Sequence, residues 1–106
     1  MATPKREPLR CHEIHEVSIS FNEGKFEYGP KGNPVHASQG DCIRWISDRK
    51  FAVHFQNISP CDGVDFSDGE NTGKVTETAP SGSYKYIVAV EHAGRIFIDD
   101  PQVIIP

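Results

Sequence analysis

The 106 residues carry a formal charge of −4, which argues against the basic face of a nucleic-acid binder. The length fits one domain, and no run approaches the about 20 apolar residues of a membrane span. An apolar fraction of 37% allows a modest core built without a disulfide framework.

Residues 1–11 hold Pro4 and Pro8 among charges and read as a flexible arm, leaving residues 12–106 as the folded domain. Lys5 and Arg6 are not followed by an apolar segment, so no secretory signal is expected. Residues 15–21 then alternate, with His15, Val17, Ile19 and Phe21 on one face and Glu16, Ser18 and Ser20 on the other; this is a half-buried strand. Asn22-Glu23-Gly24-Lys25 is turn chemistry, followed by a short strand at 26–28 and a second turn at 29–34. Ile43 and Trp45 alternate with Arg44, and Phe51, Val53 and Phe55 alternate with Ala52, His54 and Gln56. Both read as strands.

Residues 57–72 combine Pro60, Gly63 and Gly69 with Asp62, Asp65, Asp68 and Glu70, a long acidic loop where a single helical turn would be the only helix. Strand signal resumes at 74–78. Residues 83–90 place Tyr84, Tyr86, Val88 and Val90 on one side and Lys85, Ile87 and Ala89 on the other. Residues 95–98 and 102–106 end the chain as strands. Regular turns without any 3.6-residue period predict an all-β fold: a single antiparallel β-sandwich with little or no helix. The expected core is Val17, Ile19, Ile43, Trp45, Val53, Phe55, Tyr84, Tyr86, Val88 and Ile98.

Cys11, Cys42 and Cys61 make an odd count without a Cys-x-x-Cys pair, which predicts reduced thiols and a cytoplasmic protein. Cys42 reads as a small buried hydrophobe, and Cys61 as a loop residue without a neighbour to activate it. Cys11-His12 and His15 have ligand types that suit zinc or copper. Alternation sends His12 and His15 to opposite faces, so solvated histidines are expected there. His36 has no neighbour that suggests a role. No catalytic triad and no phosphate-binding glycine run is present.

Three segments carry a resemblance. Gly40-Asp41-Cys42-Ile43-Arg44-Trp45, Gly82-Ser83-Tyr84-Lys85-Tyr86 and the closing Asp100-Pro101-Gln102-Val103-Ile104-Ile105 resemble the cupredoxins, Greek-key β-sandwiches that hold copper. The resemblance implies a histidine after the tryptophan strand, and His54 lies there. It also implies a thiolate at the position of Val88, a second histidine at Glu91 (with His92 one place off) and an axial methionine, for which only Met1 exists. Valine cannot ligate copper, so no metal or cofactor is expected.

Asp99-Asp100-Pro101 interrupts the last apolar stretch. The carboxyl of Asp100 can attack its own carbonyl carbon, with the basic proline nitrogen leaving once protonated; Asp99 would be the helper acid and Lys85 an acyl trap. Phe26-Glu27-Tyr28 and Asp100-Pro101-Gln102-Val103-Ile104 resemble the bacterial DP-EP family, to which self-cleavage at the Asp-Pro bond is attributed. Only Asp100 and Pro101 carry over, and Ile105-Pro106 replaces the family's Glu-Pro. A proline on an edge strand is the structural alternative. The leading expectation is therefore a copper-free, cupredoxin-like binding or assembly module. Its partner is a protein, a small molecule or a second copy of the chain, with no nucleic acid and no membrane. Self-processing at Asp100-Pro101 comes second, and a metal carrier using histidine and cysteine third.

Overall fold

A computed structural model describes residues 10–106, so most of the expected arm lies outside the described residues. Ten strands follow in chain order: β1 (Ile14–Asn22), β2 (Lys25–Gly29), β3 (Val35–His36), β4 (Cys42–Ser47), β5 (Phe51–Phe55), β6 (Asp65–Ser67), β7 (Thr72–Lys74), β8 (Gly82–His92), β9 (Arg95–Asp99) and β10 (Gln102–Ile105). No helix occurs among the described residues, and none is long and apolar enough to cross a membrane. The fold is all-β.

One sheet has the order β2-β1-β4-β7, and the other β3-β10-β8-β5-β6. Strand β9 pairs with the end of β8, on the same side of it as β10. Two pairings, β1 with β4 and β10 with β3, are parallel, which corrects the expectation of a purely antiparallel arrangement. Alternation fixes which side chains face inward but carries no sign of strand direction, so parallel neighbours are invisible to it.

The sheets meet around one aromatic centre. Trp45 is fully buried, with its ring 6.1 Å from Phe55, 4.9 Å from Phe66 and 5.6 Å from Tyr86. Burial pushes the Tyr86 phenol up to about 12, with the Trp45 indole N–H opposing the shift. Gly73 permits the close fit, since a Cβ there would stand 2.6 Å from the Phe66 ring. Val17, Ile19, Ile43, Val53, Phe55 and Val88 join the core as expected.

Two expected core residues do not. Tyr84 is only half-buried, and Ile98 is 65% exposed. The β8–β9 turn explains Ile98: Ala93 and Gly94 both have positive φ (53° and 74°), the backbone of a two-residue hairpin loop. It sets His92 opposite Arg95 and Val90 opposite Phe97. Phe97 therefore turns inward and stacks 4.5 Å from Phe21, and Ile98 turns out.

The acidic segment 57–72 is not one open loop. Its middle forms β6 against β5, held by the buried Phe66. Cys61, read as a loop residue, is buried, and that burial, with Asp62 beside it, pushes its thiol up to about 12. Such a thiol is inert.

The expectation of reduced thiols is overturned more fully at Cys11 and Cys42, which form a disulfide with Cα atoms 5.3 Å apart. That separation is within the about 4.4–6.8 Å a bridge requires. The parallel register supplies the reason. It sets Ile14 beside Cys42, so the chain entering β1 passes over the start of β4.

Candidate functional site

The outward side of the second sheet is built by alternation. Buried Tyr86, Val88 and Val90 leave Ile87 and Ala89 outside on β8, and buried Val53 leaves Ala52 and His54 outside on β5. Inward Phe97 leaves Ile96 and Ile98 outside on β9, where they are 71% and 65% exposed. Register aligns these residues across the strands: Ser67, Ala52, Ala89 and Ile98 form one row, and Asp65, His54 and Ile87 the next. The alanines are short beside their neighbours and leave a depression of about 380 Å³. The strip is bounded by charge. His54 Nδ1 lies 2.6 Å from Asp65 on one side, and Lys85 Nζ lies 3.7 Å from Asp100 on the other.

The residues of the expected self-cleavage are partly assembled. Lys85 and Asp100 meet, because Lys85 pairs with Gln102 at the start of β10. Asp99 is separated from them by alternation, and its Oδ2 accepts the Tyr28 hydroxyl at 2.6 Å. Burial, reinforced by Asp99, holds the Tyr28 phenol far above its ordinary value. Pro101 is buried between β9 and β10, and its carbonyl accepts the Tyr86 N–H at 3.0 Å.

Of the two histidines expected to be solvated, His12 is exposed and His15 is not. His15 is buried, with Nε2 2.8 Å from Asp41 Oδ2, and the Ser38 N–H donates to the same oxygen at 2.9 Å. Desolvation would raise the Asp41 carboxyl, but the bonds from His15 and Ser38 outweigh it and hold the group below its ordinary value. Glu13, His15 and Asp41 place donor atoms within 4.8 Å of one another. The bond between His15 and Asp41 already uses two of the atoms a cation would take, so this cluster reads as a tie between β1 and the turn before β4. His12 donates its backbone N–H to Gly40 at 2.9 Å. The positions that the cupredoxin resemblance singles out do not converge: His54 is on the outer face, Val88 is in the core, and His92 Nδ1 meets Arg49 at 2.7 Å.

Sequence reasoning missed the exposed isoleucines and both acidic partners, Asp65 and Asp41. The parity of β9 is set by the Ala93-Gly94 turn, where alanine is a weak sequence signal for positive φ. The His15–Asp41 contact, spanning 26 positions, had no local signal. No protein-family model matches the chain, and no curated protein matches it either.

Proposed function

We propose that the chain is a binding or assembly module whose contact surface is the outer face of its second sheet. One observation carries this: Ile96 and Ile98 stand 71% and 65% exposed on one face, beside Ile87, Ala89 and Ala52, between the His54–Asp65 hydrogen bond and the Lys85–Asp100 ion pair. Scattered exposed apolar residues are ordinary, whereas a contiguous strip rimmed by charge is the mark of a contact surface. The surface lies on a sheet face.

A second reading, self-cleavage at Asp100-Pro101, is favoured by the 3.7 Å contact of Lys85 with Asp100. In that chemistry the Asp100 carboxylate oxygen bonds to its own carbonyl carbon and the bond to Pro101 breaks. The proline nitrogen takes a proton from solvent as it leaves, and water or Lys85 then opens the cyclic anhydride.

One set of samples tests both readings. Ile96→Lys/Ile98→Lys should fold with stability within about 0.5 kcal/mol of the parent, as for ordinary surface changes, and should lose most of the parent's binding of an apolar fluorescent dye. Unchanged dye binding, or a stability loss above about 2 kcal/mol, would sink the first reading. Denatured mass of aged parent protein decides the second: fragments 1–100 and 101–106 would support it, and a single intact species would reject it.

A further inference from the structure

The open edge of β9 extends this contact surface, and its geometry points to a second copy of the chain as the partner. Among the described residues β9 pairs only with β8. Hydrogen-bond parity identifies the groups left unpaired. The β-turn through Ala93-Gly94 makes His92 and Arg95 a hydrogen-bonded pair, so Arg95, Phe97 and Asp99 direct their backbone groups at β8. An independent bond agrees: the Glu91 N–H turns away from β9 to the Lys50 carbonyl at 3.1 Å. Its opposite number, Ile96, therefore faces outward, and so does Ile98. The open edge offers the N–H and C=O of these two residues.

We infer that two chains associate by antiparallel pairing of β9 with β9 of the other copy, centred on Phe97; the inference rests on reading this face as the contact surface. A two-fold axis at Phe97 sets Ile96 opposite Ile98 of the second copy and Ile98 opposite its Ile96. Those are the residues with open backbone groups, so all of them are satisfied in one register. The same register sets Arg95 opposite Asp99 of the second copy, twice by symmetry. A shift of one position either way breaks both matches. Arg95 and Asp99 fall in the non-hydrogen-bonded pairs, where side chains come closest. Two-fold self-complementarity of this kind is what a closed dimer requires.

Space and surface agree. A groove of about 490 Å³ runs beside the edge, lined by residues including Phe21, Lys25, Phe26 and Phe97, and can receive the second chain's Phe97. Pairing would fuse the two apolar strips into one wider face. The edge lacks the lysines, prolines or bulges with which sheets commonly block such pairing.

Sedimentation of the full chain over a range of concentrations tests the inference. A monomer–dimer equilibrium is expected, and Arg95→Asp should weaken it at least about tenfold, which is about 1.4 kcal/mol. Arg95 is exposed, so this variant keeps its fold. Register is read separately by oxidising variants with one added cysteine, the native Cys11 and Cys42 being bridged and Cys61 buried. An equimolar mixture of Ile96→Cys and Ile98→Cys should cross-link, and each alone should not. Dimers that ignore Arg95→Asp, or cross-linking of either variant alone, would place the interface elsewhere and overturn the inference. A chain that stays monomeric throughout would also overturn it, leaving the edge to an extended segment of another protein. Dye binding by that monomer would show that the contact-surface reading survives the loss of the dimer.

Discussion

Trp45→Ala is expected to remove about 3–5 kcal/mol of stability, the usual loss for truncating a buried large aromatic. The indole is fully buried and bridges the sheets, touching Phe55 and Tyr86 on one and Phe66 on the strand that ends it. Removing it opens a void between rings that cannot collapse, because Gly73 already lets Phe66 sit at contact distance. The loss is a large share of the about 5–15 kcal/mol a domain possesses. Urea unfolding measures it. A loss below about 1 kcal/mol would mean that the two sheets do not close over this residue.

Opening the Cys11–Cys42 disulfide should remove a comparable amount. The bridge joins residues 31 positions apart, and loop-closure entropy for that span gives about 3–4 kcal/mol. The effect acts mainly by restricting the unfolded chain. Cys11→Ser is the cleaner variant, since Cys42 is fully buried and a hydroxyl there would need a new partner. The comparison is parent protein with and without a reducing agent, beside Cys11→Ser under the same two conditions. The parent should fall to the variant's stability on reduction, and the variant should not respond. Cys61 provides a control, since its buried thiol should react with a thiol reagent only on unfolding. Equal stability with and without reductant would contradict the role given to the bridge.

How much of this was readable in the sequence differs from one element to the next. Strand β8 was legible because its inward residues are large and its outward ones include lysine, so parity was marked. The same marking put Lys85 on the outer face, but its meeting with Asp100 depends on the pairing of β8 with β10, which parity does not encode. Ile96-Phe97-Ile98 carries no polar marker, and parity there rests on a turn with alanine at positive φ, a residue seldom chosen for that backbone. Alternation alone therefore puts Ile98 in the core. Strand β6 was hidden because one buried side chain, Phe66, suffices to hold three acidic-loop residues to β5. Two long-range ties, the His15–Asp41 hydrogen bond and the Cys11–Cys42 disulfide, depend on the parallel register of β1 and β4. No local pattern encodes that register.

The free edge of β9 is the feature on which the dimer depends, and amide hydrogen exchange resolved to single residues reads it directly. In dilute protein the Ile96 and Ile98 amides should exchange at rates typical of exposed backbone. The Phe97 amide between them, bonded to β8, should be protected. Raising the concentration into the dimer range should slow Ile96 and Ile98 together and leave Phe97 nearly unchanged. Protection of Ile96 and Ile98 in dilute protein, or exchange at Phe97 as fast as at its neighbours, would contradict the open edge.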